Sequence, residues 1–280
     1  MYKIITKKEL APKIKLVEIR APEISNKAQA GQFVILRVDE KGERIPLTLV
    51  DWSKEKGTIT LIFLEIGLST EKLGTLEVNS PIHDIVGPLG NPSKIKNYGT
   101  ACVIGGGVGT ASAYPITRAL KQAGNKVIAI VGAKTAALLI LEDEIRKVSD
   151  ELFISTDDGS KGQKGFVSDV LKMLIEKGYI FNVVYGIGPT VMMRAVAETT
   201  RPYSIHTIVS LNPIMVDGMG MCGACRVTVG GQTRFACVEG PEFDAHKVDF
   251  GELLKRQMAY LSEEKLALQR WQERRCVPHE

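Results

Sequence analysis

Three of the five cysteines lie in one short segment near the C-terminal end of the chain, and this segment constrains the fold most strongly. Asp217, Cys222, Cys225 and Cys237 follow one another at x4, x2 and x11 spacing. This is the C-x4-C-x2-C…C arrangement of plant-type [2Fe–2S] ligands, with an aspartate in the first position. Glycines lie between them, and glycine tolerates the positive φ angles needed to wrap backbone closely around an inorganic core. The segment therefore predicts a loop folded around a [2Fe–2S] cluster, with these four residues as ligands.

Two other interpretations of the same residues stay open. Cys222 and Cys225 could form a C-x-x-C redox pair, or the three cysteines and Asp217 could hold zinc. Structural zinc sites commonly have two paired ligand knuckles, whereas the second half of this segment offers only Cys237. An Asp-Gly pair is also common in turns, so Asp217 is predicted as a ligand on spacing alone. We favour the cluster over both alternatives.

Charge and cysteine use limit the possible classes of protein. A chain of 280 residues has room for two domains and a small appendage. The net charge of +4 is too small and too dispersed to indicate nucleic-acid binding. No apolar run is long enough to cross a bilayer, and the first ten residues lack the apolar core of a signal peptide. We therefore expect no membrane association and a cytoplasmic location, where cysteines serve as thiols or metal ligands rather than as disulfides.

Residues 1–97 have the pattern of a small antiparallel β-barrel. Lys13–Arg20 alternates between apolar and polar residues, as a half-buried strand does. Gln32–Val38 and Thr58–Leu64 are further runs rich in β-branched and aromatic residues, and turns that contain glycine separate the three. Short strands at this spacing are typical of a barrel.

Residues 98–210 alternate between strand and helix patterns, and the pattern changes again after them. Parallel βαβ units and a doubly wound sheet are expected from this alternation. The predicted strands are Thr100–Ile104, Lys126–Val131, Leu152–Ser155 and Asn182–Tyr185, with helices over Ala111–Ala123 and Val167–Lys177. Residues 211–248 then form the cluster segment. Residues 249–280 are predicted to contain one charged helix, Gly251–Arg275.

A glycine-rich loop joins the first predicted strand of the sheet to its helix. It consists of Gly105, Gly106, Gly107, Val108, Gly109 and Thr110. In this position, backbone N–H groups and a helix N-terminus approach a dinucleotide diphosphate, although a plain tight turn is an alternative. Polar or glycine-containing turns also end the later strands, at Asp157 and Asp158 and at Gly186, Gly188 and Pro189. Two carboxylates facing a ribose would repel a 2′-phosphate, which favours NAD(H) over NADP(H).

A barrel, a nucleotide-binding sheet and a cysteine-rich loop, in this order, resemble the ferredoxin–NADP reductase superfamily. Within it, the chain is most similar to the branch of small, NAD-side subunits of NADH-dependent reduced ferredoxin:NADP oxidoreductases, also called sulfide dehydrogenase small subunits. It is related to the electron-transfer subunits of dihydroorotate dehydrogenase. The most specific part of the match is Val216–Val229 together with Phe235–Phe243. The dihydroorotate branch carries cysteine where this chain has Asp217, so the aspartate favours the ferredoxin:NADP branch.

The resemblance implies which residues bind FAD in the barrel and NAD(H) in the sheet. The implied FAD-binding residues are Arg44, Pro46, Leu47, Thr48, Ile62, Phe63, Leu64, Gly67, Ser69 and Thr70. The chain departs from the flavin signature at Ile45, where the family has arginine, and Arg44 stands one place early. For NAD(H), the resemblance implies the glycine-rich loop and the two later turns.

The implied function is a relay that connects NAD(H), FAD and the [2Fe–2S] cluster. A flavin is needed because nicotinamide exchanges two electrons and the cluster exchanges one. The resemblance further implies a heterodimer with a larger flavin and iron–sulfur subunit that binds NADP(H), and ferredoxin acting through that complex in electron bifurcation. Alternatives are an electron-transfer subunit of dihydroorotate dehydrogenase, a sulfide dehydrogenase subunit, or a zinc-stabilised module that only senses a dinucleotide. No catalytic acid–base side chain is predicted.

Overall fold

Antiparallel strands form the first unit of this computed structural model, which describes residues 2–276. The elements are β1 (Tyr2–Ala11), β2 (Ile14–Arg20), α1 (Pro22–Ser25), β3 (Phe33–Arg37), β4 (Arg44–Thr48), β5 (Asp51–Ser53), β6 (Thr58–Leu64), α2 (Leu68–Thr75), β7 (Pro81–Ile82) and β8 (Asp84–Leu89). The strands form two sheets, in the orders β5-β6-β2-β1-β7 and β4-β3-β8. Both sheets pack around one apolar core that includes Val17, Leu36 and Leu61. The predicted antiparallel barrel is confirmed.

Strand β3 is apolar on both of its faces. Val34 and Leu36 point into the barrel core, whereas Phe33 and Ile35 belong to a second core outside the barrel. Successive side chains of a strand point to opposite faces, so two adjoining cores require an unbroken apolar run. This explains why the sequence of β3 does not alternate, and it makes β3 the wall between the barrel and the rest of the protein.

A parallel sheet forms the second unit. Its elements are β9 (Thr100–Gly106), α3 (Gly109–Gln122), β10 (Lys126–Ala133), α4 (Glu142–Val148), β11 (Glu151–Thr156), β12 (Gln163–Lys164), α5 (Val167–Glu176), β13 (Val183–Ile187), α6 (Thr190–Thr200) and β14 (Thr207–Ser210). The strand order is β12-β11-β10-β9-β13-β14, and each neighbouring pair is parallel. The doubly wound sheet is thus confirmed. Its strand order reverses between β9 and β13, which is where sheets of this kind bind ligands.

The cysteine segment and two helices form the third unit. Its elements are β15 (Arg226–Val229), β16 (Gln232–Phe235), α7 (Ala236–Glu239), β17 (Glu242–Asp244), α8 (Phe250–Gln257) and α9 (Leu261–Cys276). Strand β17 adds to the parallel sheet as an antiparallel neighbour of β14, and Ser210 pairs with Glu242. The chain therefore leaves the sheet at Ser210, forms the cysteine loop, and returns to the same edge at Glu242.

The C-terminal region differs from the single helix predicted over Gly251–Arg275. The chain turns after Gln257 and starts a second helix at Leu261. Helix α8 buries Phe250 and Leu253 in the second core, whereas α9 packs on α2. Two different packing partners require a change of direction that sequence periodicity does not reveal. No helix among residues 2–276 is long and apolar enough to cross a membrane.

Candidate nucleotide, flavin and iron–sulfur sites

The glycine-rich loop lies at the point where the strand order of the parallel sheet reverses. A Cβ atom at Gly109 would lie 2.5 Å from the Ile187 carbonyl oxygen, so this loop and the loop after β13 touch through backbone. Gly107 has a φ of 56°, and its N–H donates to the Gly132 carbonyl oxygen at 2.8 Å. The space beside Gly107 is open. The predicted loop is thus placed beside open space at the N-terminus of α3, the arrangement that suits a diphosphate.

Met192 contributes to this crevice, and sequence reasoning missed it. The residue lies in the first turns of α6, and its thioether packs against both strand-end loops. A Cβ atom at Gly188 would lie 2.9 Å from Met192 Cε. Methionine suits an irregular gap of this kind. Gly186 lies deeper, among Val196 and Val209, so its role is packing below the crevice.

The two aspartates at the end of β11 lie beside the end of β10, as the parallel order requires. The Asp158 carboxylate accepts hydrogen bonds from the Ser160 N–H at 2.9 Å and from the Ser160 hydroxyl at 2.6 Å. These bonds hold the pKa of Asp158 below its usual value. The Ser160 hydroxyl oxygen also accepts from the Ala136 N–H. Both aspartates are exposed, and the Asp158 carboxylate is engaged by its own turn.

The alternation of side chains along β4 shows which way Arg44 points, although Ile45 stands where the flavin signature has arginine. Ile45 and Leu47 pack against the barrel core. Because side chains alternate along a strand, Arg44, Pro46 and Thr48 share the opposite, outward face. Arg44 thus stands on the same face as the residues of the flavin signature, and its guanidinium lies 3.8 Å from the Asp84 carboxylate. The side chain of Leu47 points away from that face.

The implied FAD contacts on β6 also divide into one residue that points into the barrel core and two that point outward. Phe63 is buried in the barrel core, so it can meet a ligand only through its backbone. Ile62 and Leu64 point outward and pack with Val108 of the glycine-rich loop. The barrel and the sheet are thus joined directly between the two predicted cofactor sites.

The turn before α2 is stabilised from within. The Thr70 hydroxyl oxygen accepts from the N–H groups of Ile66 and Gly67, both at 3.1 Å, and the hydroxyl donates to the Gly67 carbonyl oxygen at 3.0 Å. This network fixes the backbone at the N-terminus of α2, where Ser69 also lies. A helix N-terminus held in this way suits an anionic group such as a pyrophosphate.

Asp217 organises the loop that contains the predicted cluster ligands. One carboxylate oxygen accepts from the Met219 N–H at 2.9 Å, and the other accepts from the N–H groups of Met221 at 3.1 Å and Cys222 at 2.7 Å. The hydrogen bond from Met219 contributes most to lowering the pKa of Asp217. Gly218 and Gly220 have φ angles of 74° and 82°. Both glycines therefore have the positive φ angles that the predicted cluster loop requires.

The three cysteines differ in exposure. Cys225 and Cys237 are buried with their sulfur atoms 3.1 Å apart, whereas Cys222 is exposed. The Ala224 N–H points at Cys222 Sγ at 3.5 Å, and the Cys237 N–H points at Cys225 Sγ at 3.4 Å. Burial raises the pKa of Cys237 to about 12. Binding a metal there would release protons, because thiolates are the ligands.

The four predicted ligands pair off rather than meet at one point. Asp217 lies against the backbone of Cys222, and Cys225 lies against Cys237. In the described part of the chain, no three histidine, cysteine or acidic side chains are already arranged around a single ion. Sulfur ligands, amide groups directed at sulfur and positive-φ glycines fit an iron–sulfur cluster.

The second core packs the cysteine loop against strand β3 of the barrel. It contains Cys225 and Cys237 with Phe33 and Ile35 of β3, and it also includes residues of α6 and α8. A Cβ atom at Gly218 would lie 2.7 Å from Ile35 Cγ1. Ile35 is paired directly with Pro46 in the β3–β4 register. The cysteine loop therefore lies against the strand that neighbours the predicted flavin-binding strand.

Comparisons with known proteins agree with this arrangement. The family described as "Iron-sulfur cluster binding domain of dihydroorotate dehydrogenase B" matches residues 212–249. A homolog of the electron transfer subunit of dihydroorotate dehydrogenase B (NAD(+)) from Thermotoga maritima is 47% identical over 269 residues, which is 94% of this chain and 95% of the relative. The corresponding subunit from Enterococcus faecalis is 32% identical over 89% of this chain and 97% of its own length. A chain of a solved NADH-dependent reduced ferredoxin-NADP oxidoreductase superposes with a TM-score of 0.92 at 45% identity, covering 97% of this chain and 98% of that chain.

The fold and the site thus define an oxidoreductase subunit of the ferredoxin reductase type, a flavoprotein with an iron–sulfur module. More narrowly, the chain belongs to the family of dihydroorotate dehydrogenase B-type electron transfer subunits. The expected resemblance and the three cofactors FAD, NAD(H) and an iron–sulfur cluster are confirmed. A larger catalytic partner subunit follows from membership of a family of electron-transfer subunits. The zinc-stabilised module is displaced by the iron–sulfur match.

Proposed function

We propose that this chain is the NAD(H)-side subunit of an NADH-dependent ferredoxin:NADP oxidoreductase of the electron-bifurcating type. When bound, the nicotinamide exchanges two electrons at a time and the [2Fe–2S] cluster exchanges one. The flavin can exchange either one or two electrons, so it connects them. The observation that carries the proposal is the contact of Gly218 with Ile35, which is paired with Pro46 on the predicted flavin strand. It supports a short path from the flavin site to the cluster loop.

The chain's own residues position these groups. We infer that the glycine-rich loop and the Gly188-Pro189 turn bind the dinucleotide, and that Arg44, Pro46 and Thr48 face the flavin. The turn from Gly67 to Thr70 is proposed to hold the flavin pyrophosphate. Asp217, Cys222, Cys225 and Cys237 are proposed as the cluster ligands. We expect this relay in the cytoplasm, where NADH is available.

One residue favours the ferredoxin:NADP reaction over dihydroorotate oxidation. Asp217 occupies the first ligand position, where the resemblance implies cysteine in the dihydroorotate branch. Sequence identity does not separate the two reactions, because the solved ferredoxin-NADP oxidoreductase chain is 45% identical and the Thermotoga homolog is 47% identical. The partner that this proposal requires is a larger flavin and iron–sulfur subunit that binds NADP(H), with ferredoxin as a substrate of the complex.

The proposal is tested on the native complex, purified under anaerobic conditions. The complex is expected to contain FAD, iron and sulfide, and to couple NADPH oxidation to the reduction of both NAD and ferredoxin. The same preparation is then assayed with dihydroorotate. Reduction of NAD by dihydroorotate, without any reaction of NADPH and ferredoxin, would assign the alternative function.

Replacing Asp217 by cysteine is expected to keep the cluster and shift its reduction potential. A carboxylate oxygen is a harder ligand than a thiolate, so exchanging the two changes the electron density at iron. The measurement is a redox titration of the cluster monitored by electron paramagnetic resonance. Asp217→Asn is the companion variant, because it keeps the shape of the side chain. An unchanged potential in Asp217→Cys would show that Asp217 only organises the loop.

Exposed apolar side chains occur in the same segment as Cys222, the exposed member of the proposed ligand set. Met221 is 84% exposed, and Val216, Met219 and Val238 are between 42% and 49% exposed. All of them belong to the cluster loop or to the adjoining α7. Exposed apolar groups around a redox centre are expected where a partner docks. This surface is the proposed exit for electrons towards the larger subunit.

Met221→Asp is expected to weaken binding of the larger subunit about tenfold, or about 1.4 kcal/mol, because it places a charge in an apolar contact. Binding is measured by titrating the partner, and iron content is measured in parallel. Ile180→Asp is the matched control, because Ile180 is 79% exposed. It lies just before β13, at the end of this strand that is away from the Gly188-Pro189 turn. Equal affinity of the Met221→Asp variant and the wild-type protein would move the docking surface elsewhere.

The charged C-terminal helix α9 is a second candidate for partner docking, but it is weaker than the surface around Cys222. It packs on α2, and the Gln272 side-chain N–H donates to Glu71 at 3.1 Å. Helix α8 is even more firmly part of this chain, since Phe250 and Leu253 are buried. A truncation that tests docking by α9 should therefore begin after Tyr260 and leave α8 intact.

A further inference from the structure

The C-terminal end of α8 is attached to both arms of the cluster loop. The Gln257 side-chain N–H donates to the Asn212 carbonyl oxygen at 2.8 Å, on the approach to Asp217. The Arg256 Nη2 donates to the Ala224 carbonyl oxygen at 3.1 Å. Ala224 lies between Cys222 and Cys225. One turn of one helix thus fixes the backbone on either side of the first two predicted ligands.

Arg256 is unusual in how it is buried. Its Nε atom is shielded from water and has no hydrogen-bond partner. Its guanidinium donates to the neutral Ala224 carbonyl group, and no carboxylate within the described residues forms an ion pair with it. A partly buried cation without an opposite charge is costly, and such a group in a native protein calls for an explanation. An anion next to the guanidinium supplies one.

The cluster loop provides that anion once iron and sulfide are bound. Three thiolates and a carboxylate around a [2Fe–2S] core give a net negative charge, which grows by one when the core is reduced. A nearby positive charge stabilises the reduced form more than the oxidised form. Partial burial weakens screening by water and salt, so the effect persists at physiological ionic strength.

We infer that Arg256 is the counter-charge of the cluster: it positions the Cys222–Cys225 turn and raises the reduction potential of the bound group. It is a positioning residue, since it acts through the Ala224 carbonyl and through its charge rather than as a ligand. The inference rests on the ligand set proposed above. It adds a determinant of potential that lies outside the cysteine motif, on a helix that begins after residue 249.

Other charged groups near the loop are exposed or already paired. The Arg226 guanidinium donates to the Gly223 carbonyl oxygen at 2.8 Å, but on the exposed side of the loop. Arg234 forms an ion pair with Glu239 at 2.7 Å, so their charges offset each other. Lys255 precedes Arg256 in the same helical turn and is exposed. Lys255 therefore offers a matched control, because it carries the same charge in the same helical turn but is exposed to solvent.

The test compares Arg256→Gln, Arg256→Lys and Lys255→Gln in the full-length protein, purified anaerobically with flavin and cluster. The midpoint potential of the cluster is measured by redox titration with paramagnetic resonance detection, and iron is counted for each variant. Arg256→Gln is expected to shift the midpoint to a lower value. Arg256→Lys should keep the midpoint near that of the wild-type protein, and Lys255→Gln should leave it unchanged. The flavin midpoint is the internal reference and is expected to stay constant.

The outcomes separate this inference from the ligand assignment. A wild-type midpoint in Arg256→Gln would overturn the counter-charge role, and so would a shift of equal size in Lys255→Gln. A midpoint in Arg256→Lys as low as in Arg256→Gln would overturn the role of charge. If Arg256→Gln binds less iron, the signal still comes from loaded molecules, so their midpoint decides. Absence of iron from the wild-type protein itself would instead refute the proposed cluster ligands.

Discussion

Cys225→Ala and Cys237→Ala are each expected to abolish stoichiometric iron binding. The two thiols lie 3.1 Å apart in a buried core, where no other described cysteine could replace a missing one. Losing either of them leaves a half-formed ligand pair. Iron and sulfide analysis and the paramagnetic resonance spectrum after dithionite reduction measure the loss. Transfer from NADH to the partner subunit should disappear, while bleaching of the flavin by NADH should remain.

Cys102→Ala is the control for these two variants. Cys102 is fully buried in β9, and burial raises the pKa of its thiol. Because Cys102 lies in the sheet rather than in the cluster loop, this variant tests whether removing a buried sulfur atom by itself damages the protein. Full iron content is expected. Retention of a normal cluster in Cys237→Ala would refute the assignment of that ligand.

Gly109→Ala is expected to lower the affinity for NADH by about tenfold or more. A Cβ atom at this position would meet the Ile187 carbonyl oxygen at 2.5 Å and the Gly188 Cα at 2.7 Å, and both belong to backbone. The two strand-end loops must then move apart. Overpacking of this kind costs about 1–3 kcal/mol, and 1.4 kcal/mol corresponds to a factor of ten in affinity. Equilibrium titration of NADH against flavin-loaded protein measures the change.

Gly251→Ala is the matched substitution. Gly251 lies in the first turn of α8, as Gly109 lies in the first turn of α3, but its nearest neighbour is the Asp249 side chain at 3.3 Å. NADH affinity should equal that of the wild-type protein in this variant. Iron content serves as the fold check in both variants. Unchanged affinity in Gly109→Ala would show that the contact between the two loops does not shape the dinucleotide site.

Residue patterns within short segments predicted those strands and loops that pack against a single neighbouring element. The alternation in Lys13–Arg20 indicates a half-buried strand, and β2 spans Ile14–Arg20. The glycine-rich loop follows an apolar strand, and it lies where the parallel sheet reverses order. In both places, the residue pattern is set by neighbours that are close in sequence.

The remaining features depend on contacts that are distant in sequence. Strand β3 is apolar on both faces because it separates two cores, and one of these is formed mainly by residues after Met192. The outward position of Arg44 follows from the alternation of β4 once Ile45 is seen in the barrel core. Arg256 looks like an ordinary surface residue of a charged helix. Its contact with Ala224 appears only when α8 packs behind the loop.

The pairing of Ser210 with Glu242 has a consequence for how electrons leave the protein. The iron–sulfur segment begins and ends at the same edge of the sheet. It is therefore not a mobile domain on a flexible linker that could move between a donor and an acceptor. Displacing it would break the β14–β17 ladder and expose the apolar groups shared with β3. We therefore expect the relay in this subunit to be stationary, so that outward electron transfer depends on how closely the larger subunit approaches it.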